Sequence, residues 1–225
     1  MILSPEEWGV VLLSVRVAAA AVLLSLPGGL WLANGLARRR FRFPFVLENA
    51  VQFPLVLPPV VTGFVLLWLL GPAGPFGSTL QRLGLHVAFT WFGAALAAAV
   101  VSFPLLVQTM RATFELIDPE IEQAARVDGA GRWSVFRFVT VPLAARGVAA
   151  GVILAFARAL GEFGATIVVA GNIPGQTRTI PLAIYTAINQ ADGIPAAVRL
   201  IGASIVLSIA SLVAYSLLTR RFHRQ

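Results

Sequence analysis

Long apolar stretches separated by short polar segments dominate this chain. A helix of about 20 mainly apolar residues crosses a hydrocarbon core of about 30 Å, and such windows lie at residues 10–36, 48–70, 86–110, 143–170 and 197–218. The strands of a membrane β-barrel would instead give short alternating segments. The pattern predicts an all-α polytopic membrane helix bundle of about five transmembrane helices, with residues 1–225 forming a single transmembrane domain.

Composition supports a membrane location and limits the possible chemistry. Hydrophobic residues make up 58% of the chain and charged residues 12%, whereas about a quarter of a soluble domain is charged. Cysteine is absent, which excludes disulfides and thiolate metal sites. With only His86 and His223 as imidazole ligands, we expect no metal site and no cofactor. Lysine is also absent, so the chain lacks the Gly-Lys pair of a Walker-type phosphate loop, and we expect no catalytic residues and no ATPase site.

The distribution of arginine predicts the orientation, because cytoplasmic loops are enriched in basic residues. If the N-terminus is outside, 12 of the 17 arginines fall on the cytoplasmic side, together with the C-terminus. These are Arg38, Arg39, Arg40, Arg42, Arg111, Arg126, Arg132, Arg137, Arg146, Arg220, Arg221 and Arg224. The acidic start, Glu6 and Glu7, differs from the basic start of a cleavable signal peptide, so the first span should be retained. The arginines flank spans rather than cover a soluble face, so we expect no nucleic-acid partner.

The most polar long segment lies in the predicted cytoplasmic loop, at about residues 111–142. Asp118 followed by Pro119 predicts a helix start, and Gly129 and Gly131 predict a break. We therefore expect two short helices joined by a glycine elbow, with Pro142 marking the entry into the membrane. An alternative is an ordinary amphipathic loop helix that rests on lipid headgroups.

The same segment resembles the cytoplasmic motif of ABC-importer permeases, Glu-Ala-Ala, three residues, Gly, nine residues, Ile-x-Leu-Pro. The matching positions are Gln123, Ala124, Ala125, Gly129, Val139, Val141 and Pro142. Gln replaces the Glu, although Glu122 keeps an acid one place earlier, and Val replaces both Ile and Leu. The resemblance implies a type I permease whose coupling helix, at about 118–135, docks on a separate ATPase subunit. The contacts that it implies are Glu122, Gln123, Ala124, Ala125, Gly129, Arg132, Trp133 and Pro142.

Three further stretches are similar to the permeases of molybdate importers: "FPLVLPPVVTG" (53–63), "ARALGEFGAT" (157–166) and "GNIPGQTRTIPLAIYTAI" (171–188). Sulfate and thiosulfate permeases share versions of the first two, and the third favours molybdate. The resemblance implies an inner-membrane homodimer, surrounded by lipid, with an ABC ATPase on its cytoplasmic face and a periplasmic or extracellular oxyanion-binding protein on its outer face. Tungstate and sulfate remain alternative cargoes.

Two other classes of protein remain open. An ion-coupled secondary transporter would show inverted repeats or interrupted half-helices, and no convincing internal repeat is visible. A membrane enzyme would need a nucleophile or a metal cluster within a span, and none is apparent.

Several residues are candidates for the translocation pathway. Arg158 and Glu162 lie four apart near the middle of the fourth window, where a charged residue must face protein or water; they contribute either to an oxyanion path or to a structural ion pair. The other candidates are Pro58, Pro59, Thr62, Ser102 and Thr166. Alternatively, the prolines are ones that membrane helices ordinarily tolerate, and the hydroxyls bond to the backbone of their own helices.

The segment between the last two windows is predicted to lie outside. Residues 180–188 are too short to span and should form an interfacial helix or a partial re-entrant at the outer mouth. Arg178 is the candidate contact for the binding protein, with a solvated loop arginine as the alternative.

Overall fold

Helices occupy most of residues 3–220, the part of the chain that the computed structural model describes. They are α1 (Pro5–Ala37), α2 (Pro44–Val56), α3 (Pro59–Leu70), α4 (Gly77–Arg82), α5 (Trp91–Glu115), α6 (Pro119–Val127), α7 (Arg132–Val135), α8 (Val141–Leu160), α9 (Gly164–Ala170), α10 (Ile180–Ile188) and α11 (Ile194–Arg220). The described residues contain no strand, which confirms the all-α prediction. Arg221, His223 and Arg224, which entered the orientation and metal-site arguments, lie outside the described residues.

Among residues 3–220, four helical stretches are long and apolar enough to cross a membrane: α1, α5, the continuous stretch Arg132–Leu160, and α11. The pair α2 and α3 makes a fifth if it counts as one span. This agrees with the predicted number of about five.

The second predicted span is broken rather than continuous. α2 ends at Val56, α3 begins at Pro59, and the two helices are bent by 108°. Leu57 and Pro58 between them have extended ψ angles of 140° and 131°. The cause is local, since each of these residues precedes a proline, whose ring disfavours the helical conformation of the residue before it.

The fourth predicted window, 143–170, also differs from the structure. The helix begins earlier, at Arg132, and ends at Leu160, after which the short helix α9 follows. The second helix of the predicted elbow is therefore not short: it continues into the membrane through a π-helical turn, Phe136–Thr140. This turn directly precedes Pro142, whose missing N–H and ring are incompatible with a regular α-helical turn.

The centre of the bundle is where α1, α5 and α8 pack on small residues. Ala18 and Ala21 on α1 and Ala94 and Ala98 on α5 are fully buried in one cluster. On α8, Gly147 packs directly against Thr113 of α5, so closely that a Cβ at this glycine would collide with the threonine side chain. Small residues allow such close approach of helices in lipid.

The N-terminal end of α1 is tied to the last helix. Ser4 and Glu7 form a capping box, and the Glu7 carboxylate also accepts hydrogen bonds from Arg199 on α11, the shortest at 2.7 Å. The backbone N–H of Ile180, at the start of α10, donates to Ser14 Oγ at 2.8 Å. These contacts hold α10 and α11 against α1.

Candidate coupling surface and pathway

The short helix α6 stands at the polar end of the bundle, where the sequence predicted it. The Asp118 carboxylate accepts from the backbone N–H of Glu120 at 2.9 Å, and Pro119 is the first helical residue. α6 ends at Val127, and Gly129 has a positive φ of 90°, which favours glycine. The predicted helix start and glycine elbow are therefore present.

The outer side of this elbow is exposed and carries most of the residues that the motif implied for the ATPase contact. Trp133 is 71% exposed, and Ala125 is half-buried. We call the exposed members the coupling surface: Gln123, Ala124, Gly129, Arg132 and Trp133. Pro142 is also exposed but lies further along, at the start of α8. Trp133 projects from this surface, and the small side chain of Ala124 leaves room for a partner protein to approach α6.

Glu122 points into the protein and not to the coupling surface. It is only 4% exposed, and its carboxylate pairs with Arg38 Nη2 at 2.9 Å and accepts from Thr140 Oγ1 at 2.8 Å. Arg126 Nη2 approaches its other oxygen at 3.7 Å. One buried carboxylate therefore joins α6 to the end of α1 and to the π-helical turn.

Arg38 completes this junction from the other side. It caps the C-terminus of α1, and its Nη1 donates to the carbonyl of Ile117 at 3.1 Å, in the link between α5 and α6. A buried ion pair with this many hydrogen bonds is costly to disrupt. Arg38 and Glu122 therefore link α6 to the end of α1, to the segment after α5 and to the π-helical turn before α8.

Most of the candidate pathway residues lie at or next to the contact between α3 and α9. Gly63 of α3 lies against the backbone of Ala165 in α9, and Gly164 lies against Pro59 and Val60. A Cβ on Gly63 would stand 2.7 Å from the Ala165 carbonyl oxygen, so the contact requires glycine. The structure thus brings the break at 57–58 next to the break at 161–163.

Arg158 and Glu162 form an ion pair at this junction. Arg158 Nη1 lies 2.8 Å from Glu162 Oε2, and Glu162 Oε1 accepts from the backbone N–H of Ala165 at 2.9 Å. Glu162 lies past the end of α8, not on the face of a continuous span, and it accepts from a buried amide in the first turn of α9 that has no carbonyl partner within the helix. Its side chain is buried, while that of Arg158 is 32% exposed.

The hydroxyl candidates differ in their surroundings. Thr62 and Thr166 are both buried, and Thr62 Oγ1 has no hydrogen-bond partner among the described residues. Ser102, on α5, donates to the carbonyl of Ala99 at 3.3 Å. Ser102 thus makes the bond to its own helix that the alternative interpretation expected.

At the opposite end of the bundle, Arg178 is held in place rather than free in a loop. Its Nε donates to Asn172 Oδ1 at 2.8 Å, and Asn172 Nδ2 donates to Thr186 Oγ1 at 2.8 Å. Arg178 lines a cavity of about 430 Å³ together with Glu6. The predicted helix over 180–188 is present with these bounds as α10.

Sequence reasoning missed Arg38, Thr140 and Asn172 as members of these clusters. Arg38 appeared only as one basic residue of a cytoplasmic run. The sequence holds little signal for these residues. Arg38 and Thr140 bond to a residue that is distant in the chain, and Asn172 lies in an irregular segment.

Comparison with known proteins is consistent with this architecture. The sequence profile of the family described as "Binding-protein-dependent transport system inner membrane component" matches residues 25–224. The chain is 50% identical over 221 residues to the molybdenum transport system permease protein ModB of Escherichia coli (strain K12), an alignment that covers 98% of this chain and 96% of that protein. It is 38% identical over 199 residues to the sulfate transport system permease protein CysT of the same organism, covering 88% and 71%.

A solved structure shows the same fold at low sequence identity. A chain in the crystal structure of a bacterial ABC transporter involved in the import of the acidic polysaccharide alginate superposes with a TM-score of 0.72 and 18% identity, over 96% of this chain and 80% of that chain.

Proposed function

Because this chain belongs to the family of binding-protein-dependent transport system inner membrane components, we propose that it is the permease subunit of an ATP-driven molybdate importer. It is a multi-pass inner-membrane protein, and its cargo crosses the membrane while a separate subunit hydrolyses ATP. Identity of 50% over nearly the whole of a molybdenum permease, against 38% for a sulfate permease over less of its length, supports molybdate as cargo.

The single observation that carries the mechanism is the exposed elbow fixed to the bundle through Glu122. An ATPase that binds the coupling surface and closes on ATP pulls on α6, and the junction of Glu122, Arg38 and Thr140 transmits the displacement to α1 and α8. α8 leads directly to the two helix breaks. Closing and opening of the ATPase thereby rearranges Gly63 against Ala165, where the path is gated.

Arg158 and Glu162 set the charge at this gate. The Arg158 guanidinium is partly exposed and attracts an oxyanion. Glu162 holds the guanidinium through the ion pair and keeps α9 in position. The paired carboxylate also reduces the net positive charge, which prevents the site from trapping a dianion. Pro58, Pro59, Thr62 and Thr166 shape the path around it, and Ser102 supports α5.

The assembly that we propose has two copies of this chain around a two-fold axis, two ATPase subunits at the coupling surfaces, and one oxyanion-binding protein on the outer face near Arg178. The chain has no lysine and so no Walker-type site of its own. Ala125, half-buried in α6, adjoins the coupling surface, and Pro142 lies further along at the start of α8.

The test of cargo is competition in proteoliposomes that contain the permease, the ATPase and the binding protein. Labelled molybdate uptake should be inhibited by unlabelled molybdate and tungstate, and far less by sulfate. Equal inhibition by sulfate would assign the chain to a sulfate system, for which the 38% identical relative is the motivation. Uptake that continues without the ATPase would indicate an ion-coupled transporter.

A further inference from the structure

A second cavity, unrelated to the helix breaks, lies between the C-terminal half of α1 and the helical stretch that begins at Arg132. Its volume is about 540 Å³, within the range of about 300 to 1,000 Å³ of small-molecule sites. Half-buried apolar side chains form much of its lining, among them Leu26, Leu30 and Val141. Such a lining suits hydrocarbon better than a hydrated ion.

Three exposed arginines, Arg40, Arg132 and Arg137, line the same cavity, and none of the described acidic residues does. Within residues 3–220, none of the three guanidinium groups forms an ion pair. The neighbouring Arg38, by contrast, is neutralised by Glu122. Guanidinium groups bind phosphate through paired hydrogen bonds. This cluster can therefore bind an anion that comes from outside the chain.

Trp31 marks the cavity as a site at the membrane surface. It lines the cavity and is 64% exposed, and tryptophan is enriched where headgroups meet hydrocarbon. Trp133 of the coupling surface lies at the other edge of the lining. Asn34 also lines it and is 5% exposed, and its Oδ1 has no hydrogen-bond partner among the described residues. This carbonyl oxygen can accept from a hydroxyl of the ligand.

We propose that this cavity binds one anionic glycerophospholipid with a hydroxyl-bearing headgroup. The phosphate contacts Arg40 and Arg137, a headgroup hydroxyl donates to Asn34, and the acyl chains extend along α1 past Leu30 and Leu26. Basic pockets between membrane helices bind anionic headgroups in this way. The site lies on the helical stretch that carries the elbow, so a bound lipid fixes α1 against α7. It takes no part in the choice of the transported anion.

The test is native mass spectrometry of the purified chain in detergent, titrated with dioleoyl-phosphatidylglycerol or with dioleoyl-phosphatidylcholine. We expect one retained phosphatidylglycerol per chain at concentrations where phosphatidylcholine is not retained. Soluble glycerol 3-phosphate, which presents a phosphate and glycerol hydroxyls without acyl chains, should neither bind nor displace the lipid. Displacement by glycerol 3-phosphate would assign the cavity to a soluble phosphate and overturn the proposal.

The variant Arg40→Gln/Arg137→Gln should weaken phosphatidylglycerol binding by at least about tenfold, and Arg40→Lys/Arg137→Lys should retain most of it. Arg42→Gln/Arg82→Gln is the matched control, because it removes two charges outside the cavity and should leave binding unchanged. Circular dichroism verifies the helical fold of each variant. Equal loss of lipid in the control, or retention in the first variant, contradicts the site. So does release of the lipid when a second copy of the chain binds, because the cavity would then belong to an interface between the two copies.

Discussion

Arg38 and Glu122 are separated by 84 positions in the chain, yet their side chains form a buried ion pair of 2.9 Å that fastens the elbow to the first membrane helix. The same carboxylate accepts a hydrogen bond from Thr140 in the π-helical turn. The residue next to the exposed motif position therefore acts inside the protein. This gives the motif two sides: Gln123 and Ala124 face outward, and Glu122 faces the bundle.

Replacing Glu122 by Gln should uncouple the elbow from the bundle. The substitution leaves the Arg38 guanidinium, whose side chain is 12% exposed, without its counter-charge. Removing one partner of a fully buried pair costs about 3 to 5 kcal/mol, and we expect a smaller cost for this partly buried one. We expect faster proteolysis between α6 and α7 and loss of ATP-dependent uptake. Glu120→Gln is the control, because Glu120 is exposed and its backbone N–H keeps the bond to Asp118. Similar effects of both substitutions would contradict a special role for Glu122.

Ala124→Trp should block the ATPase without disturbing the permease. Ala124 is exposed, so the indole meets no atom of the bundle but occupies the surface that the partner needs. A loss of about 2 kcal/mol in docking, usual for a central interface residue, corresponds to roughly a 30-fold weaker complex. Co-purification with the ATPase measures this, and Ala112→Trp, at an exposed position on α5, should bind normally. Normal ATPase binding by Ala124→Trp would remove this face from the interface.

Gly63→Ala should be poorly tolerated, whereas Gly131→Ala should be nearly neutral. A Cβ at position 63 would stand 2.7 Å from the Ala165 carbonyl oxygen, but one at position 131 meets nothing within 4 Å. Forcing an extra methyl into a packed contact costs about 1 to 3 kcal/mol. Thermal unfolding in detergent and initial uptake rates should both fall for the first variant. Equal stability of the two would show that α3 and α9 do not pack this closely.

Glu162→Ala should destabilise the protein more than Arg158→Gln. Glu162 is buried and satisfies both Arg158 and the amide of Ala165, while the Arg158 side chain is 32% exposed and retains access to water. Arg158→Gln should instead lower molybdate uptake while the protein stays folded, because the positive charge at the path is lost. A reversed order of unfolding temperatures would mean that Arg158, not Glu162, holds this junction together.

Local signals in the sequence predicted the parts of the fold that depend on neighbouring residues. Asp118 with Pro119 gave the start of α6, Gly129 gave the elbow, and the short apolar run gave α10 with its bounds. Hydropathy gave the spans but not their interruptions, because a window average is insensitive to a two-residue break at Leu57 and Pro58. Glu162 was placed within a span for the same reason.

Tertiary pairings were beyond these signals. Glu122 pairs with Arg38 because of how α1 packs on α5. This packing places Arg38 beside Ile117 and therefore beside α6. The sequence does not predict the π-helical turn before Pro142. The proline is compatible with a helix that continues through this point and with a new helix that begins there. The contacts of Thr113 and Thr109 on α5 with Gly147 and Gly151 on α8 likewise depend on how two helices approach each other.

The most direct test of the central claim uses the absence of cysteine in the chain. Single-cysteine variants Ala124→Cys, on the coupling surface, and Gln190→Cys, exposed after α10, are assembled with the ATPase and the binding protein, and a thiol-reactive photocrosslinker is attached to each. We predict that the probe at position 124 crosslinks to the ATPase. The probe at position 190 should crosslink to the binding protein or to nothing. The same assembly should import molybdate only with ATP. A crosslink from position 190 to the ATPase, or none from position 124 in a transporting assembly, would contradict the account.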